Sequence, residues 1–153
     1  MHKRLKRLLK AFFPHLARPD DAFALSLLKG EERALYLAMD PRDREHAVRV
    51  ARRLLKAYPE APPSVLRAAL LHDAGKALRP YHPLERILTG LFAPPVPPYP
   101  LRRGILGAFQ VRRHHPLYLA ERLEDPEVRA LVLEHHRPQS LWGQRLHRAD
   151  QEE

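Results

Sequence analysis

Apolar residues along this chain recur at the three- and four-residue spacing of a helix face, in blocks punctuated by proline, and nowhere in the strict alternation of a half-buried strand. Leu5, Leu8, Leu9, Phe12, Phe13 and Leu16 predict an opening helix that ends near Pro14, with Lys3, Arg4, Lys6, Arg7 and Lys10 crowding its other side. A second helix begins after Asp20 and Asp21 and runs through Phe23, Leu25, Leu27 and Leu28 toward Gly30. Residues 31–39 form a third, closed by Asp40 and Pro41. Asp43 is expected to cap residues 44–58, where His46, Val50, Leu54 and Ala57 share one face. Pro62, Pro63 and Ser64 open the next helix, which ends in His72 and Asp73, and Gly75 supplies the backbone freedom to leave it.

Residues 84–91 read as helix, but the proline-dense run 93–100 cannot, and a stiff surface connection is expected there. Helix resumes near Leu101 and should break at His115, because the residue before a proline is pushed out of the helical region. Pro116 then starts a helix reaching Leu123, and Asp125 with Pro126 opens another in which Val128, Leu131, Val132 and His135 point inward. A last helix from Ser140 carries Trp142, Leu146 and Asp150. The expected fold is therefore all-α, a helical bundle with its helices separated by Pro-rich loops. Residues 1–18 are expected to form a basic amphipathic helix, and residues 19–153 the bundle.

A length of 153 residues suits one domain with a real core, and a hydrophobic fraction of 44% argues against general disorder. The absence of cysteine excludes disulfides, thiolate zinc sites and cysteine nucleophiles. Imidazole and carboxylate remain as metal ligands, which suit iron, manganese, nickel or zinc better than soft ions. A cytoplasmic compartment is the simplest expectation. The net charge of +9 and pI near 10.3 favour anionic partners such as nucleotides, nucleic acid or an acidic membrane surface. Lys10 interrupts any leader-like apolar stretch, so the opening helix is expected to pack on the domain in preference to peripheral membrane contact. The sequence sets no oligomeric state.

The most informative chemistry is the pair His72 and Asp73, which follows the apolar run at 65–71. An aliphatic helix has little physical reason to end in an imidazole and a carboxylate facing its own core. A buried carboxylate is costly unless it is paired, hydrogen-bonded or bound to a metal. His46, His115, His135 and Asp150 lie on or beside other apolar helical stretches, and together these residues read as a metal site assembled from several helices. The alternatives are a metal-free His72–Asp73 hydrogen bond, a capping role for His115, and a satisfied core His135 beside a solvated His136. His2, His15, His82, His114 and His147 read as structural or surface residues.

Five ordered stretches carry a family resemblance: Arg44-Glu45-His46-Ala47-Val48-Arg49-Val50-Ala51, Leu70-Leu71-His72-Asp73-Ala74-Gly75-Lys76, His114-His115-Pro116, Leu133-Glu134-His135-His136 and Leu146-His147-Arg148-Ala149-Asp150. In this order the chain resembles the HD-domain metal-dependent phosphohydrolases. The resemblance implies a bundle in which His46, His72, Asp73 and Asp150 hold one divalent ion, with iron, manganese, nickel, zinc or magnesium as the candidates. It also implies that Asp73 bridges to a second ion held by His115 and His135, with His136 nearby, giving one or two ions per chain. Asp73 and Lys76 are the implied catalytic residues, Lys76 neutralising phosphate oxygens one turn beyond His72.

The activity implied is hydrolysis of a phosphate ester or phosphoanhydride in an anionic small molecule, a nucleotide above all. The cyclic-dinucleotide HD-GYP branch differs from this chain, which lacks a Gly-Tyr-Pro element after His136 and carries Arg42 one turn before His46, where that branch can place a glutamate. Arg42 argues against a third metal. Symmetrical diadenosine-tetraphosphate hydrolases of the HD type share the ligand order and are the nearer analogy. A non-catalytic HD module that binds a nucleotide or nucleic acid is the alternative.

Overall fold

Proline and a short polar cap set where most of the helices begin. Asp20 accepts from the Phe23 amide at 3.1 Å, Asp40 from the Arg42 amide at 2.9 Å, and Asp125 from the Glu127 amide at 2.9 Å. Pro41, Pro63, Pro83 and Pro126 occupy first-turn positions, where a missing amide hydrogen costs nothing. The computed structural model describes residues 5, 6, 9, 12–79 and 82–152. Among them run eight α-helices and no strand: α1 (Asp21–Leu27), α2 (Glu31–Leu37), α3 (Pro41–Ala57), α4 (Pro63–Leu71), α5 (Pro83–Leu91), α6 (Gly104–Ala120), α7 (Pro126–Leu133) and α8 (Leu141–Gln151).

Helix α4 is the axis of the fold. Every residue from Ser64 to Leu71 is buried, and α1, α2, α3, α7 and α8 all pack against it. Leu70 and Leu71 join Val50, Leu54, Leu119, Val128, Val132 and Leu146 in one continuous core. Burial on all sides explains why α4 lacks a polar face, and it delivers the residues after Leu71 to the middle of the bundle. One residue of α4 brings charge into this interior: Arg67 donates Nε to the buried Glu32 at 2.9 Å and a terminal nitrogen to Asp125 at 3.1 Å. A buried cation with two carboxylate partners is tolerated where an uncompensated one would not be.

A 3₁₀ turn at Ala74–Leu78 follows α4 and lies directly against α6. A Cβ at Gly75 would fall 2.1 Å from the His115 carbonyl oxygen, so only glycine permits this approach. Farther along, α6 holds the proline-rich connection with side chains one turn apart. Gln110 donates to the Pro97 and Pro100 carbonyls, His114 meets the Val96 carbonyl at 2.7 Å, and Tyr118 donates to the Pro98 carbonyl at 2.6 Å. The stiff surface connection is thus a strap fastened along one helix.

Several sequence expectations are corrected. Asp40 caps α3; Asp43 sits inside its first turn and pairs with Arg86 of α5 at 2.9 Å. Ala57 is exposed, unlike Val50 and Leu54. His135 lies in the turn just after α7, its amide still bonded to the Val132 carbonyl. Helix α6 does not break at His115 but runs through Pro116 to Ala120. Proline deprives the Arg112 carbonyl of its helical partner, and the His115 ring supplies a substitute donor, Nδ1 lying 3.1 Å from that oxygen. The opening helix falls largely outside the described residues. Among its described residues Leu5, Leu9, Phe12, Phe13 and Leu16 are exposed, while the turn Pro14–Leu16 lies against α3 and Ala17 is buried.

Candidate metal centre

Five segments bring their His and Asp side chains to one place. His46 comes from α3, His72 and Asp73 from the end of α4, His115 from α6, His135 and His136 from the turn after α7, and Asp150 from the last turn of α8. Asp73 lies at the centre. Its Oδ1 is 3.2 Å from His115 Nε2 and 3.9 Å from His135 Nε2, and its Oδ2 is 3.7 Å from His72 Nε2. Asp150 closes the other side, 2.7 Å from His46 Nε2, 3.5 Å from His72 Nε2 and 3.9 Å from His135 Nε2. Ligand atoms bound at about 2.1 Å to one ion stand roughly 3 to 3.5 Å apart, so the 3.2 and 3.5 Å contacts are compatible with a metal site and the longer ones could close onto an ion.

Backbone carbonyls fix the orientation of two rings. His72 Nδ1 meets the Ala69 carbonyl at 2.6 Å, and His115 Nδ1 meets the Val111 carbonyl at 3.1 Å. A carbonyl only accepts, so each Nδ1 carries a hydrogen and each Nε2 is turned toward the carboxylates. Both Nε2 atoms are buried without a hydrogen-bond partner among the described residues, as is His135 Nδ1. Ligating histidines are commonly held this way, with the second ring nitrogen donating to a carbonyl.

The electrostatics agree. Burial disfavours charge on His72, but the carboxylates of Asp73 and Asp150 outweigh it and raise its pKa to about 9. Burial keeps His115 neutral, lowers His135 to about 2 with the help of His72, and lowers His136 to about 4 with the help of His115. Burial also opposes ionisation of Asp73, yet Lys76 and His72 hold its carboxyl well below the usual range. The hydrogen bond from His46 and the nearby charge of His72 do the same for Asp150 against its burial. Two ionised carboxylates thus stand among the neutral rings of His115, His135 and His136, with His72 carrying a proton that a bound cation would replace. The atoms of the cluster divide into three sets that could each hold an ion: His46 with His72 and Asp150, His72 with Asp73 and His135, and His115 with His135 and His136.

Every candidate named from the sequence therefore falls within one cluster, and Lys76 joins it with Nζ 2.8 Å from Asp73 Oδ2. His136 stays at the exposed edge, its ring 4.8 Å from that of His115. The cluster forms the floor of a cavity of about 760 Å³. Arg42, Arg49, Arg86, Arg112 and Arg113 stand on its walls with Phe92 and Phe109. Sequence reasoning weighed Arg42 only against a third metal, passed over the other wall residues, and set aside His147. That ring lines the cavity and places Nδ1 3.2 Å from the His135 carbonyl; its position one turn before Asp150 was the available signal. His82 caps α5 and His114 fastens the strap, both structural as expected.

Neither the curated proteins nor the solved structures give a match. Residues 44–151 match the family model described as HD domain. The matched span opens just before His46 and closes just after Asp150, so it takes in the whole cluster and the helices that carry it. By that match the chain belongs to the HD domain family, within the superfamily of metal-dependent phosphohydrolases.

Proposed function

We propose that this chain is a metal-dependent phosphohydrolase acting on a phosphate ester or phosphoanhydride, with a nucleotide as the preferred substrate class. The observation that carries the reading is the His115–Asp73 contact. The His115 ring, held neutral by burial with Nδ1 turned to backbone carbonyls, faces its Nε2 on an ionised carboxylate oxygen 3.2 Å away, a buried contact that a bound cation would make favourable.

In this reading His46, His72, Asp73 and Asp150 hold one divalent ion, and Asp73, His115 and His135 hold a second with His136 at its edge. Bound there, the ions would polarise a phosphoryl oxygen and supply a water of lowered pKa. Asp73 is then the shared ligand, and Lys76, paired to its Oδ2, sets the position of that carboxylate while adding positive charge to the floor. Arg112 and Arg113 on the wall suit phosphate oxygens, which guanidinium groups bind in a bidentate fashion. Phe92 and Phe109 offer apolar surface for a base or similar group.

Turnover of a panel of nucleotides and phosphodiesters by the protein loaded with manganese or iron tests the reading. Phosphate release by the wild type and its loss in Asp73→Asn, which keeps the shape and removes the charge, is the expected result. A fully loaded protein that turns over nothing on the panel, yet binds nucleotide or nucleic acid, would favour the non-catalytic module instead.

A further inference from the structure

Helix α5 is built inside out. Its apolar residues Leu84, Ile87, Leu88 and Leu91 follow the spacing of one helical face, yet all four are exposed, Leu91 by 70%. The inward face is polar: Thr89 is buried, and Arg86 reaches α3 to pair with Asp43. A helix that turns a continuous apolar stripe to solvent marks a surface meant to be covered.

The stripe does not stand alone. Arg79 donates to the Gly104 carbonyl at 2.6 Å and lies 3.6 Å from Glu85, which brings the start of α6 beside the start of α5. Leu101, Ile105 and Leu106 are exposed at that corner, together with Arg102 and Arg103. A second apolar segment precedes Arg18, and among its described residues Leu5, Leu9, Phe12, Phe13 and Leu16 are exposed. The Arg18 amide, two residues beyond Leu16, donates to Glu45 of α3 at 3.3 Å. Asp43, which anchors α5, and Glu45, which accepts from the Arg18 amide, both line the cavity above the His/Asp cluster.

Charge selects the occupant. Residues 79–120 contain six arginines against a single glutamate, and residues 1–16 add Lys3, Arg4, Lys6, Arg7 and Lys10 without an acidic residue. Arg102, Arg103, Arg112 and Arg113 make no ion pair among the described residues. A second copy of the chain would set this positive surface against itself, and nucleic acid would leave the leucines uncovered. An extended anionic surface with an apolar interior satisfies both features.

We propose that the rim formed by α5 and the start of α6 is a docking face for an anionic phospholipid bilayer, which it engages with the mouth of the cavity toward the lipid. The stripe at 84–91 enters the headgroup boundary, and Arg102 and Arg103 meet lipid phosphates. This inference does not depend on the reaction the site performs.

Co-sedimentation of the full chain with vesicles tests it, comparing pure phosphatidylcholine with a mixture containing one-third phosphatidylglycerol at low and high salt. The expected result is binding to the mixed vesicles that weakens with salt. It should fall about tenfold or more both in the double substitution Leu88→Glu with Leu91→Glu and in Arg102→Glu with Arg103→Glu. Helicity and melting temperature of each variant show that it is folded, and the arginine pair gives a second reading should the leucine pair fail to fold. No binding to mixed vesicles at low salt overturns the proposal, as does binding that both folded variants retain. Sedimentation showing a dimer that the leucine variant dissolves overturns it in favour of a second copy.

Discussion

His115 Nε2 faces Asp73 Oδ1 across 3.2 Å, and the backbone of Gly75 under the His115 carbonyl is what lets the two approach. A methyl group at Gly75 would lie 2.1 Å from that carbonyl oxygen and 2.8 Å from its carbon, both backbone atoms that cannot swing aside. Gly75→Ala should therefore push α6 away from the 3₁₀ turn, cost about 1–3 kcal/mol of stability and weaken metal binding on the His115 side. Denaturant unfolding and metal titration of the variant check this. Wild-type stability and affinity would contradict the close approach.

The metal-free protein should be most stable near neutral pH. His72 has a pKa raised to about 9 from its ordinary 6.5, so its contribution is complete below the lower value and is lost as pH rises through the higher one. His135 and His136 are depressed to about 2 and about 4, so their contributions are present above 6.5 and are lost as pH falls toward those values. Asp73 and Asp150, held below the usual carboxylate range, add to the loss in acid. A bound cation replaces the proton on His72, so metal loading should remove the alkaline decline in melting temperature. Identical alkaline limbs in the two forms would contradict the assignment of His72.

Arg67→Ala leaves Glu32 buried without its cation and should destabilise the fold by about 3–5 kcal/mol. Its effect on metal affinity should be small, because the ion pair lies among α4, α2 and the cap of α7 and not in the cluster. Calorimetry or denaturant unfolding measures the first, metal titration the second.

Asp150 joins the last turn of the chain to the cluster through His46 at 2.7 Å. On the same helix, Trp142 packs edge-on against Tyr58 and lies under Arg145. Chelation should loosen α8 and change Trp142 fluorescence in the wild type, with a much smaller change in Asp150→Ala, which should already bind metal weakly. An identical response in both proteins would remove Asp150 from the ligand set.

Much of this arrangement was legible because helical spacing places His46, His72 and Asp150 on inward faces and because proline with aspartate marks helix starts such as Pro126. What escaped the sequence is tertiary. The break expected at His115 is prevented by that residue's own ring, which bonds the carbonyl orphaned by Pro116, a compensation that local preference does not reveal. Asp40 displaces Asp43 as a cap because Pro41 can occupy the first turn and Arg86 claims Asp43 from a distant helix. The outward stripe of α5 was periodic in the sequence, but periodicity states that a face is apolar, not which way it points. The cavity's Arg112 and Arg113 gave no signal among so many other arginines.

The central claim is that the His/Asp cluster holds divalent metal through Asp73, and metal content per chain tests it most directly. After loading and desalting, elemental analysis should find one or two divalent ions in the wild type and a marked loss in Asp73→Asn of the same helicity. A wild-type protein that retains no ion, or an Asp73→Asn protein that retains as many, would contradict the account.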